Sequence, residues 1–391
     1  MKIALFTETY LPYINGVVTH VKVLRDGLIE AGHQVLIVTT DSKTKEHYLK
    51  DGILHCPAHS LKKKNLYGYS VAKIDSKVRM DYLREFNPDI LHMHQEFSMG
   101  IFAVLASKRL KKPLVYTLHT MYDKYSFYLA PPVFSPFVCM VFHWYIHFLT
   151  RRVSIITSPS YKAKDFLKKC RVKKEVVIIP NSIDYEEFNP ERISSKEIMN
   201  IKKKLGIKKG MTTGIFVGRL GKEKSIDLLL DYWAKNFRDV ENLRLVIVGD
   251  GPLYESLVFK AKQLEIEDKV VFTGAIPHKD ISPYFIVCDF FITASVTEMM
   301  SISMLEGMAS GLVPILRFDK INANQIENGV NGFLYHNDKE MGDVIRKFVD
   351  MSKEEKLKMR KMVRESVKDK GTKDLANYME KVYKDALSIK K

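Results

Sequence analysis

Apolar residues in this chain gather into short continuous runs, separated by longer stretches in which they recur every three or four positions. The first series of runs is K-I-A-L-F-T from Lys2, Q-V-L-I-V-T-T from Gln34, D-I-L-H-M from Asp89, P-L-V-Y-T-L from Pro113, S-I-I-T-S from Ser154 and V-V-I-I-P from Val176. Such β-branched runs without alternation are expected of strands covered on both faces. Between them the spacing is helical; after Gly16 it sets Val17, Val21, Leu24 and Leu28 on one side. A second series follows from about residue 212: T-G-I-F-V-G, R-L-V-I-V-G, K-V-V-F-T-G, F-F-I-T-A-S and V-P-I-L-R. The pattern predicts an α/β protein of two Rossmann-like, doubly wound parallel-sheet domains facing a cleft, the default place for a ligand. Residues 1–190 form the first domain and 191–375 the second. The proline-bounded segment 180–190 is read as the linker, with a charged helical hairpin after it. The stretch 353–388 is expected to be helical, with Leu375, Met379, Val382 and Leu387 toward a core and 376–391 packing back on the first domain.

Composition adds a compartment and a charge. Cys56, Cys139, Cys170 and Cys288 are far apart in sequence, which suits free thiols in a reducing compartment. The N-terminus enters a strand at once, so no signal peptide is expected. Net charge is +16, and residues 101–180 carry fourteen Lys and Arg against three acids. That bias fits a polyanionic partner, whether nucleic acid, anionic membrane or acidic substrate; plain solvated basic faces are the alternative.

The segment Thr297–Gly311 holds two glutamates, Glu298 and Glu306, eight residues apart. The first follows a strand-like run, and the second sits in a short helix starting near Ser301. A strand end and helix N-terminus together make a site for an anion, and flanking carboxylates suit hydroxyls, as in a sugar nucleotide. An ordinary corner with solvated acids is the competing reading. Arg219 and Lys224 lie between a strand ending at Gly218 and a helix beginning near Ser225. Cations there oppose the helix dipole, so their position favours a diphosphate over stability. Gly16 opens the first helix and would let backbone approach a ligand, although a ligand-free turn explains it equally. The sequence lacks the G-x-G-x-x-G fingerprint, which disfavours a nicotinamide dehydrogenase. His119 closes a strand and is a candidate ligand contact; His92 and His94 are assigned opposite faces of theirs, as packing residues and not a metal pair. No D-x-D pair stands at a strand end, so no metal or other cofactor is expected.

From Leu129 to Leu149 there is no Asp, Glu, Lys or Arg, and Arg151 and Arg152 follow. Its prolines and histidines argue against a membrane span. An interfacial element is expected instead, with Phe134, Phe137 and Trp144 in lipid, and with Lys62, Lys63, Lys64, Arg151 and Arg152 on anionic headgroups. A buried crossover helix is the alternative.

Together these residues resemble the retaining family 4, or group 1, glycosyltransferases of GT-B fold. The likeness runs through N-G-V-V, D-I-L-H-M-H, T-L-H-T, P-N-S-I-D, V-G-R-L-G-K-E-K, V-G-D-G-P-L and the E-x7-E pair, nearly the whole chain. It looks most like the bacterial diacylglycerol glucosyltransferases. The resemblance implies that Gly16 approaches the donor diphosphate and that Arg219 and Lys224 bind it. It implies that Glu298 holds donor-sugar hydroxyls and Glu306 the ribose. Backbone near Ser301 and Ile302 would meet phosphates, backbone near Ile276 the base, and His119 would lie beside the reacting centre. It implies transfer of a hexose, glucose first, from a UDP-sugar to a lipid acceptor such as diacylglycerol. The enzyme would be cytoplasmic and peripheral on the anionic inner face of the cell membrane, with no cofactor and no nucleic acid partner. Departures from the family pattern are Ser301 and Ser182 where glycine is common, Met299 and Met300 in the donor loop, and Lys124 where the lipid enzymes tend to be acidic. The alternatives are a soluble glycosyltransferase for capsule or another surface polysaccharide, and a non-catalytic protein that binds sugar nucleotides or polyanions.

Overall fold

The computed structural model describes residues 1–13, 15–60, 70–121 and 135–389. Contacts divide the chain into two compact units, residues 1–182 together with those from Thr372 onward, and Ile183–Gly371.

The strands of the first unit are β1 (Lys2–Thr7), β2 (Gln34–Asp41), β3 (Tyr48–Lys50), β4 (Ile53–Ser60), β5 (Ser70–Ala72), β6 (Ile90–Met93), β7 (Leu114–Thr117), β8 (Ile155–Ser158) and β9 (Val176–Ile178). They form one sheet ordered β3-β4-β2-β1-β6-β7-β8-β9, with β5 also paired to β4. The inner pairs are parallel, with Ile3 beside Ile90 and Phe6 beside Met93. The six apolar runs are all strands, and β3, β4 and β5 are additional. β3 and β5 both pair antiparallel with β4. β3 is wholly exposed, so no apolar run marks it. The order reverses between β1 and β6, a topological switch point.

The second unit holds β10 (Thr212–Val217), β11 (Leu243–Val248), β12 (Val270–Gly274), β13 (Phe290–Thr293), β14 (Val313–Arg317) and β15 (Phe333–Tyr335). Its order is β12-β11-β10-β13-β14-β15, so its switch point lies between β10 and β13. Those two pair in parallel, Gly214 against Phe290. A Cβ on Gly214 would stand 2.4 Å from the Phe290 ring, so only glycine lets this ring cover β10.

Three expectations need correction. The segment 180–190 is not a free linker: Ile183 and Phe188 are buried in the second core, and Ile183 N–H donates to Lys370 O at 3.0 Å. The boundary therefore falls at Ser182/Ile183 instead of 190, and at Gly371/Thr372 instead of 375. A single helix, Ser195–Lys204, follows where a hairpin was expected, its first turn capped by Ser194 on Glu197 N–H. The C-terminal stretch is two helices, Lys353–Glu365 and Thr372–Ser388. The second of these buries Leu375, Met379 and Val382 against Val21, Leu24 and Leu28 in the first core. Leu387 is exposed; the inward position on that turn is Ala386.

Candidate active site

At the second switch point, the chain leaves β10 through Gly218–Arg219–Leu220–Gly221. This loop is held by backbone bonds to the neighbouring V-G-D-G-P-L loop: Gly218 N–H to Val248 O at 3.0 Å, Leu220 N–H to Asp250 O at 2.9 Å and Leu253 N–H to Leu220 O at 3.0 Å. A side chain at Gly251 would strike Leu220 O at 2.6 Å, which explains the glycine. Gly221 makes room for the Glu223 carboxylate, which a Cβ there would meet at 2.4 Å. Buried Glu223 stands 4.0 Å from Arg219 and so holds the guanidinium near the strand end. Ser225 adopts φ 51°, a left-handed conformation that costs a non-glycine residue about 1 kcal/mol. This strain sits directly beside Lys224.

The loop after β13 is tied to the same place. Ser295 Oγ and Thr297 Oγ1 both donate to Glu223 O, at 3.1 and 2.8 Å. Lys224 Nζ donates to Glu298 Oε1, and both side chains are about one-fifth exposed. Arg219, Lys224 and Glu298, expected on separate sequence grounds, thus converge at the carboxyl ends of β10 and β13. Met299 and Met300 are buried, Met300 within the core, so they do not line a polar pocket.

Ser301 is the N-cap of the helix Ile302–Ala309, its hydroxyl accepting from Met304 N–H at 3.3 Å. Ser303 Oγ donates to Val217 O at 2.9 Å, fixing the first turn to the end of β10. The serine hydroxyl is therefore turned into its own helix. Glu306 is buried, and His278 Nε2 lies 2.8 Å from its Oε1. The other face of that imidazole looks toward Glu187, with Nδ1 at 3.7 Å. His278 was not singled out from sequence, because nothing local connects it to Glu306. It follows β12 two residues after Ile276, which is half-buried against the core.

The first unit has a different centre. Asn15 caps the helix Gly16–Glu30 through Val18 N–H at 2.9 Å, leaving Gly16 exposed at its start. One turn further in, His20 is buried, with Nδ1 3.1 Å from Asn181 Oδ1. His94 follows β6 and His119 follows β7; His94 Nδ1 and His119 Nε2 are 3.1 Å apart. His92 and His94 do not face opposite ways: residues two apart on a strand share a face, and their rings lie 4.0 Å apart. His92 is fixed by Tyr383 Oη at 2.8 Å and Thr117 Oγ1 at 2.7 Å. Burial pushes the His20 imidazole down to about 4. Burial, and then repulsion from neighbouring rings, holds His92, His94 and His119 well below the usual imidazole range. The cluster is thus neutral at pH 7.

The acid-free stretch contains the helix Ser135–Thr150. Phe137, Met140, Val141, Trp144 and Phe148 are all exposed, and their spacing puts them on one stripe. Ile146 and Leu149 face inward, and Arg151 and Arg152 stand exposed at its end. A buried crossover helix is therefore excluded for this segment. Lys62, Lys63, Lys64, Phe134 and Lys124 lie outside the described residues. No helix among the described residues is long and apolar enough to cross a membrane.

Two doubly wound sheets, the second with cations and carboxylates gathered at its strand-order reversal, define a protein of the α/β class. Residues 14–187 match the glycosyltransferase family 4, and residues 197–370 match the glycosyl transferases of group 1. The chain is 31% identical over 352 residues to an alpha-monoglucosyldiacylglycerol synthase of Streptococcus pneumoniae, covering 88% of this chain and 77% of that one. It is 29% identical to the synthase of that name from Acholeplasma laidlawii, over 87% and 86% of the two chains. It is also similar in fold to Anabaena HepE solved with UDP-glucose: TM-score 0.75 and 16% identity, over 98% and 99% of the chains. The chain belongs to the group 1, family 4 glycosyltransferases, and its fold class is GT-B.

Proposed function

We propose that this glycosyltransferase moves a hexose, glucose first, from a UDP-sugar to a diacylglycerol-type lipid with retention. Its place of action is the anionic inner face of the cell membrane. The observation that carries the donor half is the Lys224–Glu298 pair at the second switch point. A diphosphate would draw off the cation, and sugar hydroxyls would take the carboxylate, so the ligand replaces one ion pair by two charge-assisted contacts. Arg219 supplies the second cation, and Glu306, oriented by His278, takes the ribose hydroxyls. As the anomeric C–O bond to phosphate breaks, negative charge gathers on the leaving diphosphate. Arg219, Lys224 and the helix start at Ser301 stabilise that charge without a metal. The acceptor oxygen bonds to the anomeric carbon on the same face, and its proton passes to the departing phosphate oxygen. His119, neutral, offers hydrogen bonds beside the reacting sugar.

The acceptor half is supported by the exposed apolar stripe of Ser135–Thr150 with Arg151 and Arg152 at its end, and by the activity named for the two synthases. The test crosses UDP- and GDP-sugars with diacylglycerol, glycolipid and soluble acceptors, and reads products by mass. Glucosyl-diacylglycerol from UDP-glucose is expected. Transfer to soluble acceptors alone would reassign the enzyme to polysaccharide synthesis, and donor binding with no product would make it a binding protein.

A further inference from the structure

We propose that His20, His94 and His119 form a binding site for a divalent transition-metal ion, with zinc the best fit. One ring nitrogen from each comes within 4.8 Å of the others. The three rings stand on separate elements: the helix after β1, the turn after β6 and the turn after β7. Backbone therefore holds the cluster from three sides.

The hydrogen bonds select the right tautomers. Asn181 Oδ1 is an acceptor, so His20 carries its proton on Nδ1 and keeps a lone pair on Nε2. A ring that donates to a carbonyl on one side and is open on the other is how metal-binding histidines are usually held. Nε2 of His20 is buried and has no hydrogen-bond partner among the described residues. Leaving such an atom unmet costs about 1–3 kcal/mol, which a cation would relieve. His94 and His119 share a single proton across 3.1 Å, and a metal would take its place between them. Zinc–nitrogen bonds of about 2.0–2.1 Å bring tetrahedral ligands to roughly 3.4 Å from one another, so nitrogens that now lie within 4.8 Å must close by at most about 1.4 Å. An all-imidazole donor set suits zinc, copper or nickel and not magnesium or calcium. His92 is not a ligand, since both its nitrogens are engaged. His119 is only half-buried, which leaves a way in for the ion.

Zinc at this site would inhibit by taking His119, a corollary that rests on the role proposed for that residue; the binding itself does not. The test uses the full chain, stripped with chelator and without donor or acceptor. Cobalt is titrated in and read by its visible d–d bands, then displaced with zinc, and bound metal is counted after dialysis. One ion per chain, tetrahedral cobalt bands, and an affinity weakened about 100-fold by His20→Ala and by His94→Ala are expected. His336→Gln, at an exposed histidine paired with Glu340, is expected to change nothing. No uptake at micromolar metal overturns the proposal, as does uptake unchanged in both cluster variants. Should a variant fail to fold by circular dichroism, the stoichiometry and ligand field of the unmutated chain decide.

Discussion

The two units put their chemistry at the same topological position and equip it in opposite ways. In the second, the strand-order reversal gathers Arg219, Lys224, Glu298 and Glu306, charges held by other charges or by His278. In the first, the reversal gathers His20, His92, His94 and His119, neutral rings held by Asn181, Tyr383 and Thr117. Paired charges can be redistributed at little cost when an anion arrives, because each already has a counterion to exchange. Neutral imidazoles do not attract an anion; they offer directional hydrogen bonds of the kind hydroxyls need. A doubly wound sheet therefore supplies only the location, and the residues after its strands decide which kind of chemical group can be met there.

The largest effect that would break this contrast lies in the charged centre. Arg219→Ala and Lys224→Ala should each lower turnover by about 100-fold or more with the fold intact, as expected for groups facing a developing oxyanion. Near-normal kcat in both would remove the diphosphate from this site. Next comes the apolar helix of the first unit. Phe137→Ser with Trp144→Ser should weaken binding to anionic liposomes about tenfold or more, and added salt should weaken the unmutated protein too. Equal binding to neutral vesicles would contradict the membrane assignment.

Acid should separate the units. The cluster imidazoles have folded values below the unfolded 6.5, so the native state refuses protons that the unfolded chain accepts. Their contribution is fully present above pH 6.5 and is lost as pH falls below it, for His20 through about 4. Buried Glu8, raised to about 7, has the opposite sign, favouring the fold below 4.5 and losing that contribution as pH rises through 7. The three rings lowered alongside His20 outweigh it. Amide exchange at pH 5 should therefore show β6 and β7 opening before β10 and β11; equal loss in both sheets would erase the distinction. The smallest effect concerns Ser301. Ser301→Ala should cost about 1 kcal/mol in thermal unfolding and Ser301→Gly a few tenths, the latter without a gain in turnover. A marked gain would mean that the hydroxyl obstructs the phosphates.

Much of this was legible in the chain because it is local. Continuous apolar runs marked eleven of the strands, and the residue following each run marked Arg219, Lys224, Glu298 and His119. The short strands β3, β5 and β15 escaped because three residues carry no period, and β4 escaped because histidines and a proline interrupt its apolar run, I-L-H-C-P-A-H-S. Pairings across distant segments escaped for a different reason. That His278 reaches Glu306, that His20 meets Asn181 and that Tyr383 holds His92 depend on sheet order, which no window of sequence contains. The proline-bounded segment misled because prolines mark a turn without saying which core receives Ile183 and Phe188.

The helix Thr372–Ser388 bears on how the protein is made. It is translated after the whole second unit, yet Leu375, Met379 and Tyr383 complete the core begun by Ile3 and Leu5. On the ribosome the second sheet has every residue it needs while the first still shows apolar surface around Val21 and Leu24. The N-terminal half must wait for this helix to be synthesised, and a nascent chain stalled before residue 372 would present that unsealed surface to chaperones.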